Sequence, residues 1–490
     1  LTPRLRSTSA ILVAFAVPLA VYVASLHGNV AFWDTGDLQT VPYILGIPYP
    51  TGFPGFVLLG WLWSHLFAVG AVAWRMNLLT AVASAATAAA ATAFLLSLGV
   101  SETIGVAAAL VYAFASVPWT HATAVDVHPV SFAVTAWAAV FALRWSRDGA
   151  LRDGALAGLD GALAVAIDNT SVLALAGVAV IAAARRPPAG PALRLAAASA
   201  AIILAAYAYL PLRSAAVTRA RVDPTLALGI APGRPFWDDG HPATPANFAR
   251  VVTGSSFGTG KAVRGLLSPE NTGRLGGEFV PALRRDVGDV VPWLAVFGGL
   301  LFAWRAPFAA AGLTAVGLIP LLFVFAYSSE SDTARYFLPA YFAIACAAGY
   351  GASAIGRALP RGAALIAGFT GLLLLISVAA TDRATNADQF GQPQDPGATD
   401  WIARVRAVTA PDAIVVAPWM YATPLGYAAF VDRAFGRRIV VTADAADYAP
   451  AYRRWMRTRP VVIVSDDPVH LNGFDTIEID RGDPHLYALR

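Results

Sequence analysis

The sequence predicts a polytopic α-helical membrane protein with a small α/β domain at its C-terminal end, and three observations carry that prediction. Hydrophobic residues make up 57% of the 490 and charged residues only 13%, with a mean hydropathy of +0.58, a balance that soluble globular chains rarely reach. Apolar runs close to the ~20 residues needed to cross a bilayer as a helix recur through the first 380 positions. Beyond about residue 399 the pattern changes to short β-branched runs that alternate with helix-like stretches.

Arg4 and Arg6 precede an apolar run over 10–26. A signal peptide shares such a basic start, but the run is long and many spans follow, so it is expected to stay as the first helix. Further spans are expected at 74–98, 104–120, 129–145, 155–167, 171–184, 195–211, 289–304, 307–326, 337–355 and 362–380, about eleven in all. Alternate short loops carry Arg144, Arg147, Arg152, Arg185, Arg186, Arg194, Arg305, Arg357 and Arg361. The opposite set, 27–73, 120–128, 167–170 and 327–336, carries only Arg335. By the positive-inside rule the N-terminus is cytoplasmic, and the second set of loops is extracytoplasmic, together with 212–288 and the tail. Within the first loop an apolar piece, Phe53 to Val69, contains Trp61, Trp63 and His65 and is expected to form an interfacial or re-entrant helix.

The resulting plan is a transmembrane region over 1–380, with a first extracytoplasmic loop 27–73 and a long one 212–288. A polar linker over 381–398 then leads to an extracytoplasmic α/β domain over 399–490. Its expected strands are Ala413–Ala417, Arg438–Thr442, Pro460–Ser465 and Thr476–Ile479, with helices at Thr399–Val408 and Thr423–Phe435. Cys346 is the only cysteine, which excludes an intrachain disulfide and a cysteine-based zinc site. The net charge of +4 is small, Lys261 is the only lysine, and no basic patch interleaved with aromatics points to nucleic acid.

Chemistry concentrates in the first loop, between Phe32 and Gly55, where no lysine or arginine occurs between Leu26 and Trp74. Asp34 and Asp37 stand three apart, so a helix would place both on one face. The plain reading makes Asp34 an N-cap, with Asp37 in the first turn of a helix over Leu38–Leu45. Paired carboxylates can also deprotonate an acceptor hydroxyl or bind a divalent cation. Asp126 and His128 lie in the second external loop, where His128 before Pro129 reads as a helix end. Asp238, Asp239 and His241 lie in the long loop and read as a polar turn or as a carboxylate–histidine cluster.

Several segments in order carry a resemblance to a known family. Asp34-Thr-Gly-Asp37 stands where the family has Asp-Ser-Gly-Glu, and Leu45-Gly-Ile-Pro-Tyr-Pro-Thr-Gly-Phe-Pro54 where it has Leu-Gly-x-x-His-Pro-Pro-Gly-Tyr-Pro, with Tyr49 in the His position. Arg75-Met-Asn77-Leu, Ala124-Val-Asp-Val-His128, Asp168-Asn169, Tyr209-Leu-Pro-Leu-Arg-Ser-Ala215 and Phe236–Phe248 continue the likeness, with an echo at Asp332–Pro339. This chain thus resembles membrane glycosyltransferases of GT-C architecture, a family that includes the eukaryotic transmembrane protein O-mannosyltransferases and their bacterial relatives.

The resemblance implies an inverting transfer of a sugar, mannose as the first choice, from a polyprenyl-phosphate donor to an extracytoplasmic protein or glycan hydroxyl. Asp34 and Asp37 would be catalytic, and Asp126, His128, Arg213, Asp238, His241 and Arg335 would contact substrate. Arg213 and Arg335 are the expected phosphate-gripping cations, since guanidinium binds phosphate in bidentate fashion. A divalent cation, Mg²⁺ or Mn²⁺, on Asp34, Asp37 or Asp126 is the one cofactor the residues leave open. The alternative is a lipid or glycolipid transporter with an extracytoplasmic sensing domain. Transporters place ionisable groups near the bilayer midplane, where Asp160 is the main candidate.

Overall fold

The computed structural model describes residues 3–327, 333–358 and 386–490. Among these, six helices are long and apolar enough to cross a membrane: Ser7–Ala24, Val72–Ser97, Val127–Asp148, Ala189–Ala220, Pro307–Tyr327 and Ala334–Ala358. Two bent pairs raise the number to eight if each is one crossing: Glu102–Phe114 with Ser116–Thr123, at 68°, and Pro269–Val287 with Val290–Arg305, at 109°. The runs read as spans at 155–167 and 171–184 form the helices Leu151–Ile167 and Asn169–Ala182. At 1.5 Å per residue even the longer of these reaches only about 26 Å, short of a full crossing. The run at 362–380 lies outside the described residues.

The chain divides into two compact units. The first comprises Leu1–Leu26, Leu78–Ala206 and Ser255–Gln392 and is helical, held by small-residue packing. A Cβ on Gly177 would meet the Gly312 carbonyl oxygen at 2.4 Å, and one on Gly298 the Ala347 oxygen at 2.0 Å. Such close backbone approach supplies the van der Waals contact that lipid tails, as apolar as the helices, cannot drive. Buried polar groups are paired across helices: Tyr22 Oη donates to the Ala113 carbonyl at 2.6 Å, and Trp119 Nε1 to Ser25 Oγ at 2.9 Å.

The second unit comprises His27–Asn77, Tyr207–Gly254 and Pro393–Arg490. Its centre is a sheet of five strands: β1 (Ile414–Ala417), β2 (Ile439–Thr442), β3 (Val461–Ser465), β4 (Thr476–Asp480) and β5 (His485–Leu489). Their spatial order is β2-β1-β3-β5-β4, with β1 parallel to β2 and β3 and with β5 antiparallel to β3 and β4. All four residues of β1 are buried, as expected of a central parallel strand covered on both faces. Four strands fall where the sequence places them, while β5 and the Ala449–Met456 helix go beyond that reading.

The sheet shares its core with the long loop. Leu228 and Ile230 pack with Ile414, Ile439, Tyr452 and Ile463, and Trp455 Nε1 donates to the Leu228 carbonyl at 2.9 Å. The first loop joins the same unit. Its helix Trp33–Ile44 packs on the Trp419–Phe430 helix, and a Cβ on Gly36 would stand 2.4 Å from the Ala31 oxygen and 2.9 Å from Thr423 Oγ1. A boundary drawn at 399 from composition therefore separates segments that share one core.

Candidate active site

The carboxylates of the first loop sit on the Trp33–Ile44 helix, whose N-cap is Phe32 with no side-chain cap bond. Asp34 is thus inside the first turn rather than the cap. Its Oδ1 accepts a hydrogen bond from Trp419 Nε1 at 2.9 Å, and the side chain is half-buried. Asp37, one turn further on, is 0% exposed, and neither of its oxygens has a hydrogen-bond partner of full geometry. Burial, and then the charges of Asp239 and Asp34, hold its carboxyl well above the usual range, against a weaker opposing pull from the Tyr49 amide.

Asp239 enters this environment through its backbone, whose N–H donates to the Ile47 carbonyl at 3.2 Å. Burial pushes its carboxyl up to about 7, with the Arg234 guanidinium pulling against that and Asp238 adding to it. Next to it, Asp238 Oδ2 lies 2.7 Å from His241 Nδ1, and Ser214 Oγ lies 3.2 Å from the same nitrogen. Asp238 is 1% exposed, and its carboxyl is also raised by burial, against bonds from Ser214 and His241. Asp238 and His241 lie within a turn, in which the His241 N–H donates to the Asp238 carbonyl at 3.1 Å.

The loop motifs explain how Asp34 and Asp37 are held. Gln39 Oε1 accepts from the Ala31 N–H at 2.9 Å, its Nε2 donates to Asn77 Oδ1 at 3.2 Å, and Asn77 Nδ2 donates to the His27 carbonyl at 2.8 Å. Arg75 donates to the carbonyls of Ser64 and Gly70, and Trp63 Nε1 to the Arg75 carbonyl at 2.8 Å. The Arg75-Met-Asn77 segment therefore closes both ends of the loop. Arg213 is spent similarly: it donates to the Leu45 and Ile44 carbonyls at the C-terminal end of the Trp33–Ile44 helix, which lack partners within it.

In the helical unit, Asp126 is the N-cap of Val127–Asp148, so His128 and Pro129 begin that helix rather than end the preceding one. Proline is tolerated there because first-turn N–H groups lack helical partners. Asp126 Oδ1 accepts from the His128 N–H at 2.9 Å and lies 2.9 Å from His128 Nδ1, while Oδ2 lies 3.4 Å from His121 Nδ1. Burial pushes the Asp126 carboxyl up, but the His128 charge, the bonds from His121 and His128, and the Arg335 charge together hold it well below the usual range. His128 Nε2 stands 3.9 Å from Asp168 Oδ2, and the His128 ring meets Tyr336 edge-on at 4.5 Å. A small cavity is lined by His128, Thr135, Asp168, Arg335 and Tyr336.

No group of three or more His, Cys, Asp or Glu side chains among the described residues is arranged to hold a metal ion. Asp34, Asp37 and Asp126, named for a divalent cation, therefore offer no ready ligand set among the described residues. Asp239 was legible as an acid in a polar turn, but its raised carboxyl pKa was not. His121 was detectable only as a histidine five residues before Asp126. Trp419 carried no signal, because its partner lies 385 residues away.

Comparison with known proteins bears on this geometry. Residues 34–188 match the family model described as Protein O-mannosyl-transferase TMEM260 N-terminal domain. The mouse protein O-mannosyl-transferase TMEM260 (Mus musculus) is 34% identical over 113 residues, 23% of this chain, and the match spans 16% of the mouse protein's length. The crystal structure of ArnT from Cupriavidus metallidurans, bound to undecaprenyl phosphate, superimposes with a TM-score of 0.54 at 13% identity, covering 98% of each chain. At that identity the likeness is one of fold.

Proposed function

We propose that this chain, a membrane protein of GT-C architecture whose residues 34–188 match the TMEM260 N-terminal domain model, is an inverting glycosyltransferase. It would move a sugar from a polyprenyl-phosphate donor to a protein or glycan hydroxyl, with mannose the first sugar to test. The observation that carries the reading is the unequal pair at the start of the matched segment. Asp34 is half-buried and held by an indole N–H, whereas Asp37 is sealed from solvent with unpartnered oxygens. Two carboxyl groups in opposed environments take different roles.

In this mechanism Asp34 accepts the proton of the acceptor hydroxyl. The acceptor oxygen bonds to the anomeric carbon, the bond from that carbon to the phosphate oxygen breaks, and its electron pair leaves with the lipid phosphate. Configuration inverts in the single displacement. Burial holds the Asp37 carboxyl well above the usual range and pushes that of Asp239 up to about 7, so both favour the charged form less than an ordinary carboxylate and repel a phosphosugar less. The leaving phosphate needs charge neutralisation rather than a general acid. Of the two arginines expected to supply it, Arg213 also donates to the Leu45 and Ile44 carbonyls at the end of the Asp34 helix. The arginine asymmetry of the short loops supports an extracytoplasmic first loop and sheet, with a cytoplasmic N-terminus.

The test is incubation of purified protein with a panel of polyprenyl-phosphate sugars and hydroxyl acceptors, with and without chelator. Release of lipid phosphate coupled to glycosylated acceptor is expected. Movement of an intact sugar-lipid across vesicles without its consumption would overturn the reading in favour of a transporter.

A further inference from the structure

A base that takes a proton from a hydroxyl has to present its carboxylate in one orientation, and Asp34 Oδ1 accepts a hydrogen bond from Trp419 Nε1 at 2.9 Å. The donor is the first residue of the helix that follows β1. Trp419 follows β1 directly, and β1 is flanked by β2 and β3, both parallel to it, so the chain reverses direction across the sheet at this strand. In open α/β sheets the crevice outside the carboxyl ends of the strands at such a reversal is where ligands are held. Here Phe32 and Asp34 meet the helix that leaves β1 at that end.

Four contacts set the fit, all within the second unit. Phe32 meets Tyr421 edge-on with ring centres 6.2 Å apart, and Tyr49 meets Trp419 edge-on at 6.0 Å. Gly36 lies against Thr423 so closely that a Cβ would stand 2.9 Å from its hydroxyl oxygen, and Tyr427 Oη accepts from the Ala73 N–H at 3.1 Å. The Trp419–Phe430 helix is therefore pinned along its length, and its first residue cannot swing away from Asp34. An indole N–H donates and never accepts, so it holds Asp34 Oδ1 as an acceptor and fixes the plane of the carboxylate.

We propose that Trp419 is a positioning residue for Asp34, which makes the C-terminal sheet part of the catalytic apparatus rather than a cover over it. The proposal rests on Asp34 being the base. The test compares full-length wild type with Trp419→Phe, which keeps a ring and removes the donor, by two readouts. The first is carbodiimide-and-amine labelling of carboxyl groups followed by mass spectrometry, which needs no sugar chemistry. Labelling of Asp34 is expected to change several-fold while that of Asp37 stays the same; identical labelling of Asp34 overturns the proposal.

The second readout is transfer kinetics. Loss of a hydrogen bond to a charged group predicts a fall in kcat of about tenfold to a hundredfold, with KM for donor and acceptor held within about twofold. An unchanged kcat, or KM rising with kcat intact, overturns it. Trp401→Phe is the control, since it removes another indole bond of the same sheet domain, Trp401 Nε1 to the Tyr421 carbonyl at 3.0 Å. An equal loss of kcat in that variant would make the effect one of general stability, and the proposal would fall. If wild type consumes no donor although the labelling differs, the glycosyltransferase reading fails and the contact with Asp34 survives it.

Discussion

Asp37 and Asp126 are both buried aspartates near the start of a helix, yet their surroundings drive them in opposite directions. Asp126 accepts a backbone N–H, lies within bonding reach of two histidines and feels the Arg335 charge, so its ionised form is favoured despite burial. Asp37 has no such company; its strongest electrostatic neighbours are two more acids, and its protonated form is favoured. Burial penalises charge in both places. The difference lies in what the fold brings alongside: it favours the ionised form of one carboxyl and the protonated form of the other.

The largest expected effect tests the division of labour within the first loop. Asp34→Asn is expected to lower kcat by about 10²–10⁴-fold, the usual range for loss of a general base, while the unfolding midpoint in detergent holds. Asp37→Asn is expected to leave folding intact as well and to cost far less activity. Equal losses in the two variants would erase the distinction between them.

The next effect tests the other side of the comparison. Asp126→Asn keeps a competent N-cap residue but removes the charge that His121 and His128 face, so destabilisation of about 3 kcal/mol is expected from thermal unfolding. In wild type the Asp126 contribution is present above the unfolded carboxyl pKa and is lost as pH falls through its depressed folded value. The variant should therefore lose the acid-side slope of stability.

Asp239 should show the reverse slope. Its folded pKa of about 7 lies above the unfolded value, so the folded state binds the extra proton and stability falls as pH rises from about 4 to 7. Asp239→Asn is expected to flatten that fall, gaining on wild type by up to ~1.4 kcal/mol per pH unit in this window. A variant that tracks wild type at every pH would remove Asp239 from the neutral group. The smallest effect is expected at the loop closure. Asn77→Ala removes the bonds to Gln39 and the His27 carbonyl and should cost about 1–2 kcal/mol in the same unfolding assay.

Legibility differed from residue to residue. The spans at 74–98 and 307–326 were plain because long apolar runs have one stable solution in a bilayer. The runs at 155–167 and 171–184 were shorter than the others and form the short helices Leu151–Ile167 and Asn169–Ala182. The first turn at Trp33 and the cap at Asp126 were assigned to neighbouring residues, since Asp and His next to Pro serve either a helix start or a helix end until the backbone decides. Arg213 was a phosphate candidate by charge alone and turned out to satisfy two helix carbonyls.

By itself the sequence determined what depends on local composition: membrane helices, a loop free of cations around Asp34, and strands of β-branched residues in the tail. Those properties follow from solvent preference and backbone propensity, which act over a few turns of chain. Only the tertiary structure decided which acids are charged and what holds them. The indole on Asp34, the histidines on Asp126 and the acids around Asp37 come from segments up to 385 residues apart, and electrostatic energy depends on distance in space.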